Sequence, residues 1–300
     1  MSAAFTPERW AFEITRLLNE VFKEDRFPID IPMIAKDYSA KRFPDDPIVS
    51  VAGDNLPNFD GALFRAPEGR KGWGIIYNSA IRSTGRINFT LAHEFGHYLL
   101  HRLAHPEGFH CGQQDVVRWD SALGQIEHQA NVFAANLLMP LDDFRRQIDA
   151  KATVDLDTIS HCADRYRVSL IATVLRWLGY TSKRAVLVVS RDGFILWARS
   201  SDPALKTGAF FRTAGRPIEI PSASLAVRQD LLSEGSGCVD HDGGVWFAEP
   251  VREMTILAEQ YDFALSLLLL GDSAPFVSFE SDPESDTYER MVPQERRREW

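Results

Sequence analysis

The 300-residue sequence predicts an α+β chain, and three observations carry that prediction. Before about position 180, apolar residues recur mostly at three- and four-residue spacing, as on amphipathic helices. After Ser182, branched and aromatic residues crowd into short runs separated by turn residues, as in strands. Between Phe59 and Ser79 lies a further strand pair, directly ahead of a helix that carries evenly spaced histidines. The 45% hydrophobic and 25% charged composition is that expected of a water-soluble globular chain with room for two domains.

The amino-terminal stretch "MSAAFTPERWAFEITRLLNEVF" lacks the basic flank and apolar centre of a secretory signal. It reads as an amphipathic helix with Trp10, Ile14, Leu17, Leu18 and Val21 on one face. Pro28 to Ala35 begins a second, short helix, and Ser50 to Asp60 reads as strand and turn. "GALFRA" and "WGIIYNS" flank the polar turn "PEGRKG", which predicts a hairpin. Lying beside the histidine helix, such a hairpin would either cover the core or offer an edge to an extended peptide.

In "INFTLAHEFGHYLLHR", Ile87 to Arg102, His93, His97 and His101 follow one another at intervals of four. A step of four turns a helix by only about 40°, so the three imidazoles share one face. Two neutral imidazoles so placed suit zinc, and Glu94, about 100° round from His93, can stand beside the metal and take a proton from its water. This is the HExxH arrangement of zinc peptidases. Six of the eight histidines fall between positions 93 and 128, so His101, His105, His110, Cys111, Asp120, Glu127 and His128 are candidates for a third ligand. His101 lies roughly 12 Å of helical rise beyond His93, too far to share one ion with it. The loop from Ala104 to Asp120 is polar and irregular. "IEHQANVFAANLLMP" then repeats apolar residues at three and four until Pro140, a second helix that would deliver Glu127 from its first turn.

Together, "FTLAHEFGHYLLH" and "EHQANVFAANLLMP" resemble the ImmA/IrrE family of bacterial metallopeptidases, and the likeness runs from about Phe59 to Pro140. The resemblance implies a zincin-like, gluzincin-type peptidase domain with His93, His97 and Glu127 as metal ligands and Glu94 as general base. It implies Zn2+ as cofactor, with Mn2+ as an alternative. Tyr98, His101 and His128 are nearby candidates for a second shell or for steadying the oxyanion, and His101 also reads as a cation at the helix carboxyl end. One departure stands out: many members carry an acid two positions after the ligand glutamate, where this chain has Gln129.

From Leu141 to Tyr180 the pattern is helical, with the "RVS" break giving a helix-turn-helix-like pair. Eight Lys or Arg against six Asp or Glu between Pro140 and Ala185 is little positive charge for a DNA reader, so docking or structure is the expected role. Beyond it, "RAVLVVSRDGFILWARSS" predicts a hairpin about Asp-Gly. "GGVWFAEPV", "MTILAEQ" and "YDFALSLLLL" are further strand candidates, the last of them also readable as a buried helix, and a helix is expected over Ser222 to Ser233. By the same family resemblance, this mixed α/β region is expected to be GAF-like. The expected divisions are 1–140 for the peptidase domain, 141–182 for the helical segment, 183–271 for the GAF-like sensor domain and 272–300 for a disordered tail.

The net charge of −9 argues against sequence-independent binding of nucleic acid by the whole surface and suits a basic protein partner. Three scattered cysteines fit a reducing cytoplasm, and no apolar run reaches the roughly 18 residues of a membrane span. The family resemblance implies cleavage of a helix-turn-helix repressor to release stress or mobile-element genes, gated by a small-molecule or nucleic-acid signal at the carboxy-terminal domain. The alternative is a regulator that keeps the zinc site and binds its partner without cutting it.

Overall fold

The computed structural model describes residues 5–57, 59–112, 122–213, 215–258 and 262–272, with backbone alone for 109–112 and 122. Helix α1, Pro7–Phe22, starts at the Thr6 side-chain cap and buries Trp10, Ala11, Ile14, Thr15 and Leu18. Leu17 and Val21, expected on that face, are instead exposed, because the buried face is turned towards Ala11 and Thr15. Helix α2, Ile31–Arg42, is capped by Asp30 and runs seven residues beyond the expected Ala35.

The first sheet contains β1 (Ile48–Asp54), β2 (Phe59–Arg65), β3 (Trp73–Asn78) and β4 (Gly108–Gly112), in the order β1-β3-β2-β4. Strands β2 and β3 form the expected antiparallel hairpin, while β1 runs parallel to β3. The hairpin is therefore interior, and the sheet edges are β1 and β4. Strand β4 arises inside the stretch expected to be loop, and among the described residues it pairs only with β2.

Helix α3, Thr84–Leu100, capped by Ser83, packs against β2 and β3, and α4, Ala122–Leu138, packs in turn against α3. Gly96 permits their contact, since a Cβ there would lie 2.9 Å from the Phe133 ring and 3.3 Å from the Ala130 Cα. Phe95 and Phe133 meet edge to face across the contact at 5.7 Å. Both are fully buried, and each stabilises the fold by about 1.5–3 kcal/mol through removal from water.

Helices α5 (Leu141–Gln147), α6 (Leu156–Tyr166) and α7 (Leu170–Leu178) follow. Buried Asp143 ties α5 to α6, accepting hydrogen bonds from Arg165 (2.9 and 3.1 Å), the Tyr166 hydroxyl (2.7 Å) and Arg146 (2.9 Å). The α6–α7 turn, with Arg167 left-handed at φ 48°, sits on the start of α3. A Cβ on Gly85 would come within 2.7 Å of the Val168 carbonyl carbon. The helix pair is thus packed into the body of the protein, and α7 lies against the second sheet.

That sheet contains β5 (Ala185–Arg191), β6 (Phe194–Ser200), β7 (Ile218–Glu219), β8 (Ser236–His241), β9 (Val251–Ala258) and β10 (Phe263–Leu270), in the order β7-β6-β5-β10-β9-β8. Asp192 and Gly193 turn the first hairpin with positive φ at both positions, as its twist requires. Alternation divides the central strands: Leu187, Val189, Leu265 and Leu267 face the first core, whereas Val186, Val188, Ala264 and Leu268 face a second.

Several expectations change here. Among the described residues only a five-residue helix, α8 (Asp202–Lys206), and a 3-10 turn at Gln229–Leu231 accompany the sheet, so the region is far richer in strand than expected and 222–233 is not an α-helix. "GGVWFAEPV" is mostly loop up to β9, with Trp246 buried by its indole N–H donating to Glu253 at 2.8 Å. "YDFALSLLLL" is strand, not helix. The tail expected from 272 lies outside the described residues beyond Asp272. No helix among the described residues is long and apolar enough to cross a membrane.

Candidate metal centre

Helix α3 aims His93 and His97 at one point, and α4 brings Glu127 to it. The two Nε2 atoms are 2.9 Å apart. The Glu127 oxygens lie 3.1 Å from the His93 nitrogen and 3.3 Å from that of His97. Tetrahedral ligands at bonds of about 2.05 Å stand roughly 3.3 Å from one another, so this spacing fits a single ion. All three side chains are buried.

The outer contacts set which nitrogen carries the hydrogen. The Asn131 side-chain oxygen accepts from His93 Nδ1 at 2.9 Å, leaving the Nε2 lone pair directed inward. Gln129 Oε1 lies 3.0 Å from His101 Nε2, and His101 Nδ1 lies 3.1 Å from His97 Nδ1. A carbonyl oxygen only accepts, so His101 donates to Gln129, accepts from His97, and again leaves an inward lone pair. Burial holds His101 below its usual pKa and lowers His97 to about 4, which keeps both rings neutral at pH 7.

Burial also acts to lower His93, but the hydrogen bond to Glu127 and the charges of Glu94 and Glu127 outweigh it and raise the pKa. Burial would raise Glu127, yet its bonds to both histidines hold it well below the usual carboxylate range. With His93 in its neutral form, two lone pairs and an ionised carboxylate converge, an arrangement that attracts a cation in place of the His93 proton.

Glu94 is fully buried beside this point. Strand β2 crosses above it at Gly61, where an added Cβ would meet the Thr90 methyl at 2.4 Å and Glu94 Oε1 at 3.3 Å. Asp60, the preceding residue, is fixed by a bidentate pair with Arg86 of α3, at 2.7 and 2.9 Å.

The remaining sequence candidates disperse. Tyr98 points into the aromatic core, and its hydroxyl donates to the Asp46 carbonyl at 2.7 Å, away from where an oxyanion would form. His128 is exposed on the outer side of α4. The cation at the carboxyl end of α3 is Arg102, which donates to the Tyr98 carbonyl at 2.9 Å, while His101 is a neutral link behind His97. The side chains of His110 and Cys111 and the whole of Asp120 lie outside the described residues, and His105 is not among the groups at the centre. Asn131 escaped the sequence reading, although its place one turn after Glu127 on the same helix was a usable signal.

A histidine pair on one helix and a glutamate delivered by a second form a group that could hold a metal ion, in a mixed α and β arrangement that fits a zincin-like fold. Residues 45–178 match the model of the IrrE N-terminal-like domain, Peptidase_M78. Among solved structures, a chain described as "Mycobacterium tuberculosis transcriptional regulator" shares the fold at a TM-score of 0.50 and 14% identity. The likeness covers 86% of this chain and 76% of that one. No curated protein matches the chain.

Proposed function

We propose that the protein is a zinc-dependent endopeptidase of the ImmA/IrrE type that cuts a helix-turn-helix repressor. The observation that carries the reading is the convergence of the His93 and His97 lone pairs on Glu127, with buried Glu94 alongside. Zinc, or manganese, bound by those three residues supplies Lewis acidity and makes water acidic enough to deprotonate near neutral pH. Glu94 takes that proton and passes it to the departing amine. Among the described residues β4 is paired on one side only, and its other edge would offer main-chain hydrogen bonds to an extended substrate.

The repressor as substrate rests on the family resemblance, and the regulator named among the solved structures is compatible with it. In this reading, 1–140 form the peptidase domain and 141–182 a helical docking segment. Residues 183–271 form a GAF-like sensor domain, a reading supported by its antiparallel sheet, and the protein works in the cytoplasm.

Metal content by plasma mass spectrometry, with cleavage of a candidate repressor, tests the assignment. About one ion per chain is expected in the wild type and in Glu94→Gln, and a sharp loss in Glu127→Ala. Cleavage should disappear in both variants. Equal metal loss in the two variants would break the division of roles, and metal without cleavage in the wild type would favour a regulator that binds its partner uncut.

A further inference from the structure

The stretch leading from α8 to β7 differs in charge from the rest of this acidic chain. Between Asp202 and Glu219 the sequence holds Lys206, Arg212 and Arg216 and no acid, with Phe210 and Phe211 among them. Phe210, Phe211, Arg212, Gly215, Arg216 and Ile218 line a surface cleft of about 410 Å³. That volume lies within the range of about 300–1,000 Å³ found for small-molecule sites. Phe210 is 37% exposed, and the Arg212 guanidinium lies over its ring, 5.5 Å from the centroid. Arg212 and Arg216 are themselves exposed.

The cleft is held in shape from behind. Phe211 rests on Phe247 and Trp246, with ring centroids 5.0 and 5.9 Å away. The Trp246 indole donates to buried Glu253 at 2.8 Å, and Glu253 also accepts from the Ser224 hydroxyl at 2.7 Å and the Leu225 amide at 3.0 Å. Just before Phe210, the Ala209 carbonyl accepts from the Ser200 hydroxyl of β6 at 2.8 Å. At the far end Ile218 pairs with Ile195 in the sheet. The stretch is thus tied to the sheet at both ends, which lowers the ordering cost of binding a ligand there.

The wall selects the chemistry of its occupant. Phenyl faces favour a second flat ring, offset or edge-on. Guanidinium forks match the oxygens of a carboxylate or phosphate, and they stack on aromatic faces as Arg212 does here. A cation would be repelled, and an uncharged molecule would take water from two guanidiniums without replacing its hydrogen bonds. A long polyanion such as duplex nucleic acid would meet the acidic remainder of the chain, whose net charge is −9. We infer that this cleft binds a small aromatic anion, its ring against Phe210 and Phe211 and its acid group between Arg212 and Arg216. An aromatic carboxylate and a nucleotide both offer that chemistry. The use made of such binding rests on the sensor reading of this domain, whereas the binding itself stands on the cleft alone.

The test uses the full chain and 2-naphthoate, followed by its own fluorescence. Saturable one-to-one binding is expected. The alcohol 2-naphthalenemethanol, with the ring but no charge, and cyclohexanecarboxylate, with the charge but no aromatic ring, should each bind at least tenfold more weakly. Phe210→Ala and the double variant Arg212→Gln, Arg216→Gln should each weaken 2-naphthoate binding at least tenfold, and because these side chains are exposed, circular dichroism should stay as in the wild type. Displacement of the probe by AMP would assign the cleft to a nucleotide, and its failure to displace would assign it to an aromatic carboxylate; the aromatic anion stands in both cases. Absence of saturable binding, equal binding of the alcohol, or wild-type affinity in either folded variant would overturn the inference. Glu127→Ala should bind 2-naphthoate as the wild type does, so an error about the metal ligands leaves this result intact. Loss of binding in that variant would place the anion at the metal centre and overturn the assignment to the cleft.

Discussion

Single residues behind His93 and His97 would set the quality of the proposed metal centre. The line Gln129, His101, His97 ends in a neutral amide, whereas an acid at position 129 would place a charge there and make the His97 ring a stronger donor. Gln129→Leu removes the acceptor and frees His101 to turn, so zinc affinity should fall by about 10- to 100-fold while the fold persists. Chelator competition measures the first and thermal unfolding the second, and an unchanged affinity would mean His97 is held by helix packing alone. The convergence of His93 and His97, the proposed ligands, was legible because spacing along one helix is local information. Asn131 and Gln129 were not, since their roles depend on how α4 crosses α3. Tyr98 misled for a related reason: it is close in sequence, but about 140° round the helix from His93 and aimed at the core.

Among the elements, the contact of α3 with α4 and the tie between α5 and α6 bear the most strain if altered. Gly96→Val would drive methyl groups into Phe133 and Ala130, cost about 1–3 kcal/mol and shift Glu127 away from the histidines. A lower melting temperature together with weakened metal binding is expected, and a change in stability alone would separate the two effects. Asp143 gives a pH-dependent case. Burial opposes its ionisation, but Arg165, Tyr166 and Arg146 hold its pKa below the usual value. Its stabilisation is therefore complete above the unfolded pKa of about 3.9 and is lost as pH falls through the folded value. Asp143→Asn should cost about 3 kcal/mol at pH 7, since it strands buried partners, and urea unfolding should show the gap from wild type narrowing below about pH 4. Helices α3, α4, α6 and α7 were legible from periodicity. Strand β4, built from "GFHCG", and β8, built from "SGCVDH", were not, because their pairing partners rather than their own side chains make them strands.

At the scale of the whole molecule, the second sheet is part of the first core, with Leu187, Val189, Leu265 and Leu267 packed in the same cluster as Trp177 and Phe144. A chain cut after Ser182 should therefore lose solubility and unfold at lower temperature, which scattering and calorimetry would show; an unchanged melting point would mean the face is dispensable. The order of this sheet was not legible, because strand neighbours far apart in sequence leave no local mark. That order has a consequence for how such proteins diversify. Its first and last strands are adjacent at the centre, and the chain enters and leaves side by side, with Leu270 N donating to the Arg184 carbonyl at 2.9 Å. Within the described residues the sheet therefore begins and ends at a single seam. Any replacement whose two ends meet at that seam, and which brings its own apolar face for Trp177, can be exchanged for it while the helices that hold the histidines stay where they are.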